Sequence, residues 1–144
     1  MKKMMAIVLA LLMVLSLAAC GAKDNVPNEG YTPSLIQLKD GDTVGDGKTA
    51  ITVMITGTDG ETITVTVNTD EKTVGDALQS IGLIDGEEGE YGLYIKTVNQ
   101  ETVDYETDGA YWAFYIGGEY AATGVDQTAA EAGIDYAFVA EKAE

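Results

Sequence analysis

Histidine and arginine are absent from this chain of 144 residues, and cysteine and tryptophan occur once each. Without histidine, and with so few cysteines and serines, the sequence lacks most side chains used for nucleophilic catalysis and for transition-metal binding. The chain has eight lysines and 24 acidic residues, and the resulting net charge of −16 disfavours binding to nucleic acid. We therefore expect a binding protein and not an enzyme. A pair of carboxylates, as in a glycosidase, is the remaining catalytic alternative.

The first twenty residues have the layout of a bacterial export signal. Two lysines form a positive start, and residues 4–15 are apolar but too few to span a bilayer comfortably. The stretch ends in Leu17-Ala-Ala-Cys20, which resembles the lipobox of bacterial lipoproteins. That resemblance implies removal of residues 1–19, a diacylglyceryl group on Cys20, and further acylation, for example with palmitate, that anchors the protein in the membrane. An ordinary secretory signal followed by a free cysteine is the alternative.

Residues 20–46 have the composition of a flexible acidic linker with few large hydrophobic side chains. Pro27 and Pro33 oppose regular secondary structure, because proline fixes its own φ and restricts the residue before it. The one apolar stretch, residues 34–38, could dock on the folded domain. We place that domain at residues 47–144.

Two acidic stretches suggest calcium binding, but neither has the required ligand pattern. In residues 40–46, Val44 stands where an EF-hand loop needs an oxygen ligand. Residues 85–90 carry four carboxylates without a fixed spacing. We predict a solvated linker, a flexible acidic loop and no metal site.

The pattern of residues 47–144 predicts a mixed α+β domain with one helix. Alternating β-branched residues at 50–56 and 62–67 flank Asp59-Gly60 and predict a hairpin. Thr73 and Asp76 form a capping box ahead of an apolar stripe that ends at Gly82, which predicts a helix lying across the sheet. The remaining elements are strands at 91–98, 101–105 and 136–140, and a helical turn at 128–132.

An aromatic run at residues 110–116, followed by Gly117-Gly118 and residues 119–121, predicts a second hairpin, which we place at the centre of the sheet. Its alternation puts Trp112 and Phe114 on one face and two phenols on the other. The tryptophan is therefore expected to face the core more than a ligand.

Four segments carry a resemblance to a known family: Thr73-Val-Gly-Asp-Ala-Leu78, Glu90-Tyr-Gly-Leu-Tyr94, Ala110-Tyr-Trp-Ala-Phe-Tyr115 and Gly124-Val-Asp126. They resemble the DUF4430 family, a small β-rich domain similar to the C-terminal domain of transcobalamin and intrinsic factor. The order of hairpin, crossing helix and further strands also resembles the ubiquitin-type β-grasp fold. The resemblance covers residues 47–144, and together with the lipobox it is similar to surface lipoproteins of Gram-positive bacteria.

In the cobalamin carriers this domain forms one half of a cleft around the corrin, and a helical barrel, not seen in this sequence, forms the other half. We expect a monomer that is anchored on the extracellular face of the membrane and requires no cofactor. It would capture cobalamin, a related corrinoid or another small ligand, for hand-over to a transporter. The residues expected to meet the ligand are Tyr111, Trp112, Tyr115, Tyr120, Thr123, Gly124 and Val125. The alternative is a protein-interaction or adhesion module without a small ligand.

Overall fold

The computed structural model describes residues 34–144. The predicted signal peptide, the lipidation site Cys20 and the first part of the predicted linker lie outside the described residues. In chain order the elements are β1 (Thr43–Val44), β2 (Thr49–Thr56), β3 (Thr62–Thr69), α1 (Val74–Ser80), β4 (Ile84–Gly89), β5 (Gly92–Val98), β6 (Glu101–Thr102), α2 (Tyr105–Asp108), β7 (Ala110–Ile116), β8 (Glu119–Tyr120), a 3-10 turn (Val125–Gln127) and β9 (Asp135–Lys142). Neither helix is long and apolar enough, within this part of the chain, to cross a membrane.

The strands form two sheets, and the predicted α+β class is confirmed. The larger sheet has the order β1-β3-β2-β9-β7-β8, and the smaller one has the order β4-β5-β6. Strand β9 is parallel to β2 and antiparallel to β7. The aromatic hairpin β7–β8 forms as predicted, but it lies at one edge of the larger sheet and not at its centre. Strands β2 and β9 lie at the centre of the sheet. They are far apart in the sequence, so the local alternation of residues does not predict that they pair.

The first hairpin follows the predicted alternation residue by residue. Opposite each other in the ladder are Ile51 and Val67, and then Val53 and Val65, all of them almost fully buried. Gly60 takes a φ of 82° in the turn, a value that glycine adopts without strain. Both strands therefore present one continuous apolar face to the core, as period-two alternation requires.

Helix α1 begins directly after the predicted cap residue Thr73 and ends at Ser80, two residues before Gly82. Thr73 Oγ1 accepts a hydrogen bond from the backbone N–H of Asp76 at 3.0 Å, which caps the first turn. Val74 and Leu78, one helical turn apart, are completely buried in the same core as β2 and β3. At seven residues the helix depends on this packing for its stability.

The predicted linker extends too far into the domain. Leu38 is buried, and its N–H donates to Asn99 Oδ1 at 2.6 Å while Asn99 Nδ2 donates to the Leu38 carbonyl at 3.1 Å. Strand β1 then pairs in parallel with β3. Residues 34–46 are therefore part of the fold, because one apolar side chain and backbone pairing outweigh a polar composition.

The segment predicted as a flexible acidic loop is instead strand β4. Its residues pair with β5 from Ile84 opposite Val98 to Gly89 opposite Gly92. Backbone pairing is compatible with acidic side chains here because β4 is an edge strand and most of its side chains are exposed. The turn shifts to residues 90–91, and one acidic residue of the segment, Glu87, lines the site described below.

Two shorter elements also differ from the prediction. The strand predicted at residues 101–105 is only the two-residue β6. Helix α2 begins at Tyr105, because the Asp104 side chain accepts from two backbone N–H groups and caps it. The helical turn predicted at residues 128–132 lies earlier, at Val125–Gln127. Ala129 instead forms an isolated bridge with Thr73.

Candidate ligand-binding cleft

A cleft of about 610 Å³ opens where β4 and β5 meet helix α2 and the start of β7. Three of its side chains are tyrosines, three are carboxylates and one is a lysine. The lining residues are Glu87, Tyr94, Lys96, Asp104, Tyr105, Glu106 and Tyr111. The cleft thus combines aromatic walls with a cluster of charges, all contributed by elements that lie within residues 87–111.

The tyrosines Tyr94 and Tyr105 present much of their surface to solvent. Their exposed fractions are 41% and 57%, whereas Tyr111 is half-buried. Tyr94 lies on β5 at a position that alternates with buried Ile95, and Tyr105 starts α2. Exposed aromatic rings that share a concave surface can pack against an organic ligand.

Lys96 forms ion pairs with two carboxylates of the cleft. Its Nζ lies 3.2 Å from Glu87 Oε1 and 3.9 Å from Asp104 Oδ2. The hydrogen bond with Glu87 raises the pKa of Lys96, and the charges of Glu87 and Asp104 act in the same direction against desolvation. The cleft therefore holds a fully charged ammonium group between β4 and α2.

Asp104 links the charge cluster to the backbone of α2. Its Oδ1 accepts from the N–H of Glu106 at 2.8 Å and from the N–H of Thr107 at 3.1 Å. The Thr107 and Glu106 amides lower the pKa of this carboxyl, and Lys96 adds to the effect. Asp104 is thus an ionised cap that positions Tyr105 and Glu106 at the cleft.

Tyr111 also belongs to a second group, the Glu141 cluster, on the outer face of the large sheet. Tyr111 Oη donates to Glu141 Oε2 at 3.3 Å, and Tyr115 Oη donates to Glu141 Oε1. Tyr115 meets Tyr120 edge to face, with ring centroids 5.5 Å apart. Burial raises the pKa of Tyr111, and the hydrogen bond to Glu141 raises the pKa of Tyr115 to about 12. Both phenols are therefore neutral at physiological pH.

Trp112 faces away from the cleft, into the core. It is 6% exposed, and its indole N–H donates to the Lys96 carbonyl at 3.1 Å. This bond joins β7 to β5 directly behind the cleft. The side chain is therefore a support of the site and does not touch the cleft space.

The predicted ligand residues Thr123, Gly124 and Val125 lie apart from the cleft. Val125 is buried in the core, and Thr123 Oγ1 shares a hydrogen bond with Thr128 Oγ1 at 3.1 Å. A Cβ on Gly124 would lie 2.8 Å from Asp126 Oδ1, a buried atom without a hydrogen-bond partner among the described residues. These residues shape the 3-10 turn.

Of the seven predicted ligand residues, the structure places only Tyr111 in the cleft, and it puts Tyr115 and Tyr120 in the Glu141 cluster. Six lining residues were not predicted as site residues. A signal did exist for two of them, since Tyr94 and Lys96 alternate with buried residues and so share one face of β5. Tyr105 and Glu106 gave no comparable signal.

Metal-ligating side chains do not gather in this part of the protein. Within residues 34–144, no three His, Cys, Asp or Glu side chains lie close enough to hold one metal ion. The acidic residues of β4 are spread along the strand, and Glu87 faces Lys96. The charge of the cleft is thus organised around an ammonium group.

The chain belongs to the DUF4430 family, a domain of unknown function whose family profile matches residues 71–135. It is 35% identical to a crystal structure described as "a putative metal binding protein from Ruminococcus gnavus ATCC 29149". That match has a TM-score of 0.63 and covers 67% of this chain and 100% of the other. The family predicted from the sequence motifs is therefore confirmed.

A second solved structure, haptocorrin in complex with Cbi, matches with a TM-score of 0.50 and 18% identity. The match covers 70% of this chain but only 27% of that chain, so it shows a shared fold for one part of haptocorrin. This supports the predicted transcobalamin-like description. Among curated protein sequences, none matches significantly.

Proposed function

We propose that this protein is a lipid-anchored surface protein whose domain binds a small organic ligand in the cleft between β5, α2 and β7. The observation that carries the proposal is the cleft itself, with exposed Tyr94 and Tyr105 beside the Lys96 ion pairs. Its volume of about 610 Å³ lies within the range of small-molecule sites. Binding, and not catalysis, is the role that this lining favours.

The aromatic walls favour an organic ligand over a bare metal ion. The shared fold with haptocorrin makes a corrinoid the first ligand to test, although a complete corrinoid with its amide side chains is larger than this cleft. We propose that a corrinoid would place one edge against Tyr105 and remain exposed elsewhere, which predicts modest affinity. A smaller ligand would be enclosed more completely.

The proposed membrane anchor rests on the first twenty residues of the sequence. The lipobox-like tetrapeptide ending at Cys20 supports lipidation and a place on the outer face of the membrane. Metabolic labelling with radioactive palmitate tests this directly. The label is expected on the native protein and not on Cys20→Ala, and labelling that survives the substitution would contradict the anchor.

We also infer that the domain is a β-grasp. The order β3-β2-β9-β7-β8, with β2 parallel to β9, supports this assignment because the two ends of the domain pair at the centre of the sheet. The small sheet β4-β5-β6 is then an addition between helix α1 and β7. It supplies Glu87, Tyr94 and Lys96 to the cleft.

Titration of the full chain with cobinamide and with cobalamin tests the proposal. Trp112 is the only tryptophan and contacts the Lys96 carbonyl behind the cleft, so its fluorescence should report binding there. We expect saturable binding with a Kd near or below about 10 μM, confirmed by calorimetry. Tyr105→Ala should weaken it by about tenfold, a loss of roughly 1.4 kcal/mol.

A matched control is available at the tip of the β4–β5 hairpin. Tyr91 is 87% exposed and lies outside the cleft lining, so Tyr91→Ala should leave ligand affinity unchanged. Equal losses in Tyr105→Ala and Tyr91→Ala would contradict binding in the cleft. Absence of binding by corrinoids, and by small organic cations, anions and neutral compounds at millimolar concentration, would overturn the proposal.

Exposed aromatic side chains outside the cleft favour one alternative, a protein-contact surface. Tyr91 and Tyr120 are 87% and 63% exposed, and neither lines the cleft. Aromatic residues are enriched at protein interfaces. In that case Tyr91→Ala and Tyr120→Ala, and not Tyr105→Ala, should reduce adhesion of cells that display the protein.

A further inference from the structure

The lining of the cleft carries more negative than positive charge, which favours a cationic ligand. Glu87, Asp104 and Glu106 line it together with a single amine, that of Lys96. Within residues 34–144, Glu106 takes part in no ion pair. Three carboxylates and one ammonium group therefore line the cleft, and the formal charge that remains is that of two carboxylates.

Lys96 shows what kind of group this lining stabilises. Its Nζ reaches Glu87 and Asp104, at 3.2 and 3.9 Å, so the cleft already accommodates one ammonium group among its carboxylates. The contact with Glu87 is a charge-assisted hydrogen bond, which is stronger than a neutral one. A ligand ammonium near Glu106 would meet a carboxylate that, within residues 34–144, forms no ion pair.

The tyrosines add two contributions that suit the same kind of ligand. The faces of exposed Tyr94 and Tyr105 carry negative partial charge and attract cations, and their carbon skeletons pack against methylene groups. An uncharged ligand would use only the second contribution. An anionic ligand would meet repulsion from the carboxylates.

We infer that the cleft binds linear aliphatic amines, with two ammonium groups that balance the excess carboxylates and a methylene chain that packs on Tyr94 and Tyr105. This inference rests on the proposed function, because it names the ligand class of the same cleft. Lys96 acts as an internal competitor that holds the carboxylates until the ligand arrives. Because the lysine is tethered, it blocks part of the site and limits affinity.

Calorimetric titration of the full chain with cadaverine, at about 0.15 M salt to screen long-range attraction, tests the inference. Pentanediol has the same chain length without charge, and glutarate has the opposite charge. We expect saturable binding of cadaverine, at least about tenfold tighter than that of pentanediol, and no binding of glutarate. Equal affinity for cadaverine and pentanediol, or tighter binding of glutarate, would overturn the inference.

Two variants separate the cleft from the general negative charge of the protein. Glu106→Gln should weaken cadaverine binding by about fivefold or more. Glu71→Gln removes an exposed carboxylate outside the cleft and should leave binding unchanged. If both substitutions weaken binding equally, the overall charge attracts the amine, and the assignment to the cleft is wrong.

Lys96→Met gives a prediction of opposite sign. Methionine keeps the apolar stem but removes the competing ammonium, so cadaverine should bind more tightly, by about fivefold or more. Weaker binding in this variant would show that Lys96 recognises the ligand, contrary to the inference. Circular dichroism checks the fold, and Glu106→Gln gives an independent test at an exposed position.

The experiment also distinguishes failure of this inference from failure of the proposed function. If a corrinoid binds in a manner that depends on Tyr105 while cadaverine does not bind, only the amine specificity is wrong. If no probe binds, both the amine specificity and the proposed function are wrong.

Discussion

The tyrosines of this domain fall into two groups that are held in opposite ways. In one group the phenol is fixed, as in Tyr115, which donates to Glu141, and Tyr136, which donates to the Ala129 carbonyl at 2.7 Å. In the other group, Tyr94 and Tyr105 leave 41% and 57% of their surface exposed. Residue type alone therefore does not mark a binding site. A fixed phenol stabilises the fold, and an exposed ring face can meet a ligand; Tyr111, which bonds to Glu141 and also lines the cleft, has both features.

The largest expected difference between the groups concerns Tyr136. Tyr136→Phe should lower the free energy of unfolding by about 1–2 kcal/mol, because the Ala129 carbonyl and the Glu131 N–H both lose their partner. Tyr105→Phe, the matched control in the cleft, should change it by less than about 0.5 kcal/mol. Chemical denaturation measures both. Similar losses of unfolding free energy in the two variants would contradict the distinction between fixed and exposed tyrosines.

The second largest effect is expected at alkaline pH, where the stability contributed by Tyr115 should be lost. The pKa of Tyr115 is raised from 10.0 to about 12, so folding favours the neutral phenol. This contribution to stability is complete below pH 10 and is lost as the pH rises through about 12. Urea denaturation across this range should therefore show a steeper decline for the native protein than for Tyr115→Phe. Parallel declines would contradict the role of Tyr115.

A smaller effect is expected from Glu141→Gln. Loss of the charged acceptor should move the pKa of Tyr115 from about 12 back toward its ordinary value. Titration of tyrosinate absorbance measures the shift, and Glu71→Gln serves as a control because Glu71 is exposed and lies far from the cluster in sequence. A tyrosine that still titrates near pH 12 in Glu141→Gln would point to burial as the dominant cause.

The elements predicted correctly from the sequence are those determined by neighbouring residues. Hairpin β2–β3 follows from alternation around Asp59-Gly60, and α1 follows from Thr73 and its apolar stripe. The strand order was not predictable, because the pairing of β2 with β9 depends on the whole chain. Leu38 shows the same limit, since its partner Asn99 comes 61 residues later.

The candidate site was harder to predict than the fold for a related reason. Its lining residues lie on β4, β5, α2 and β7 or next to them. The acidic composition of β4 is typical of a loop, so its strand was not predicted. The aromatic run drew attention to β7, but only Tyr111 of that strand lines the cleft, because alternation turns Trp112 toward the core. The lining residues lie within residues 87–111, but they are spread over four elements whose packing against one another no local pattern indicates.

The most direct test of the account is an NMR titration of the isotope-labelled full chain, with cobinamide and with cadaverine separately. If the cleft is the ligand site, the amide signals of Tyr94, Lys96 and Tyr105 should shift with at least one probe. The signals of Tyr91 and Tyr136, outside the cleft lining, should stay in place. Shifts confined to Tyr91, Tyr115 or Tyr120, or no shifts with either probe at millimolar concentration, would contradict the assignment of the ligand site.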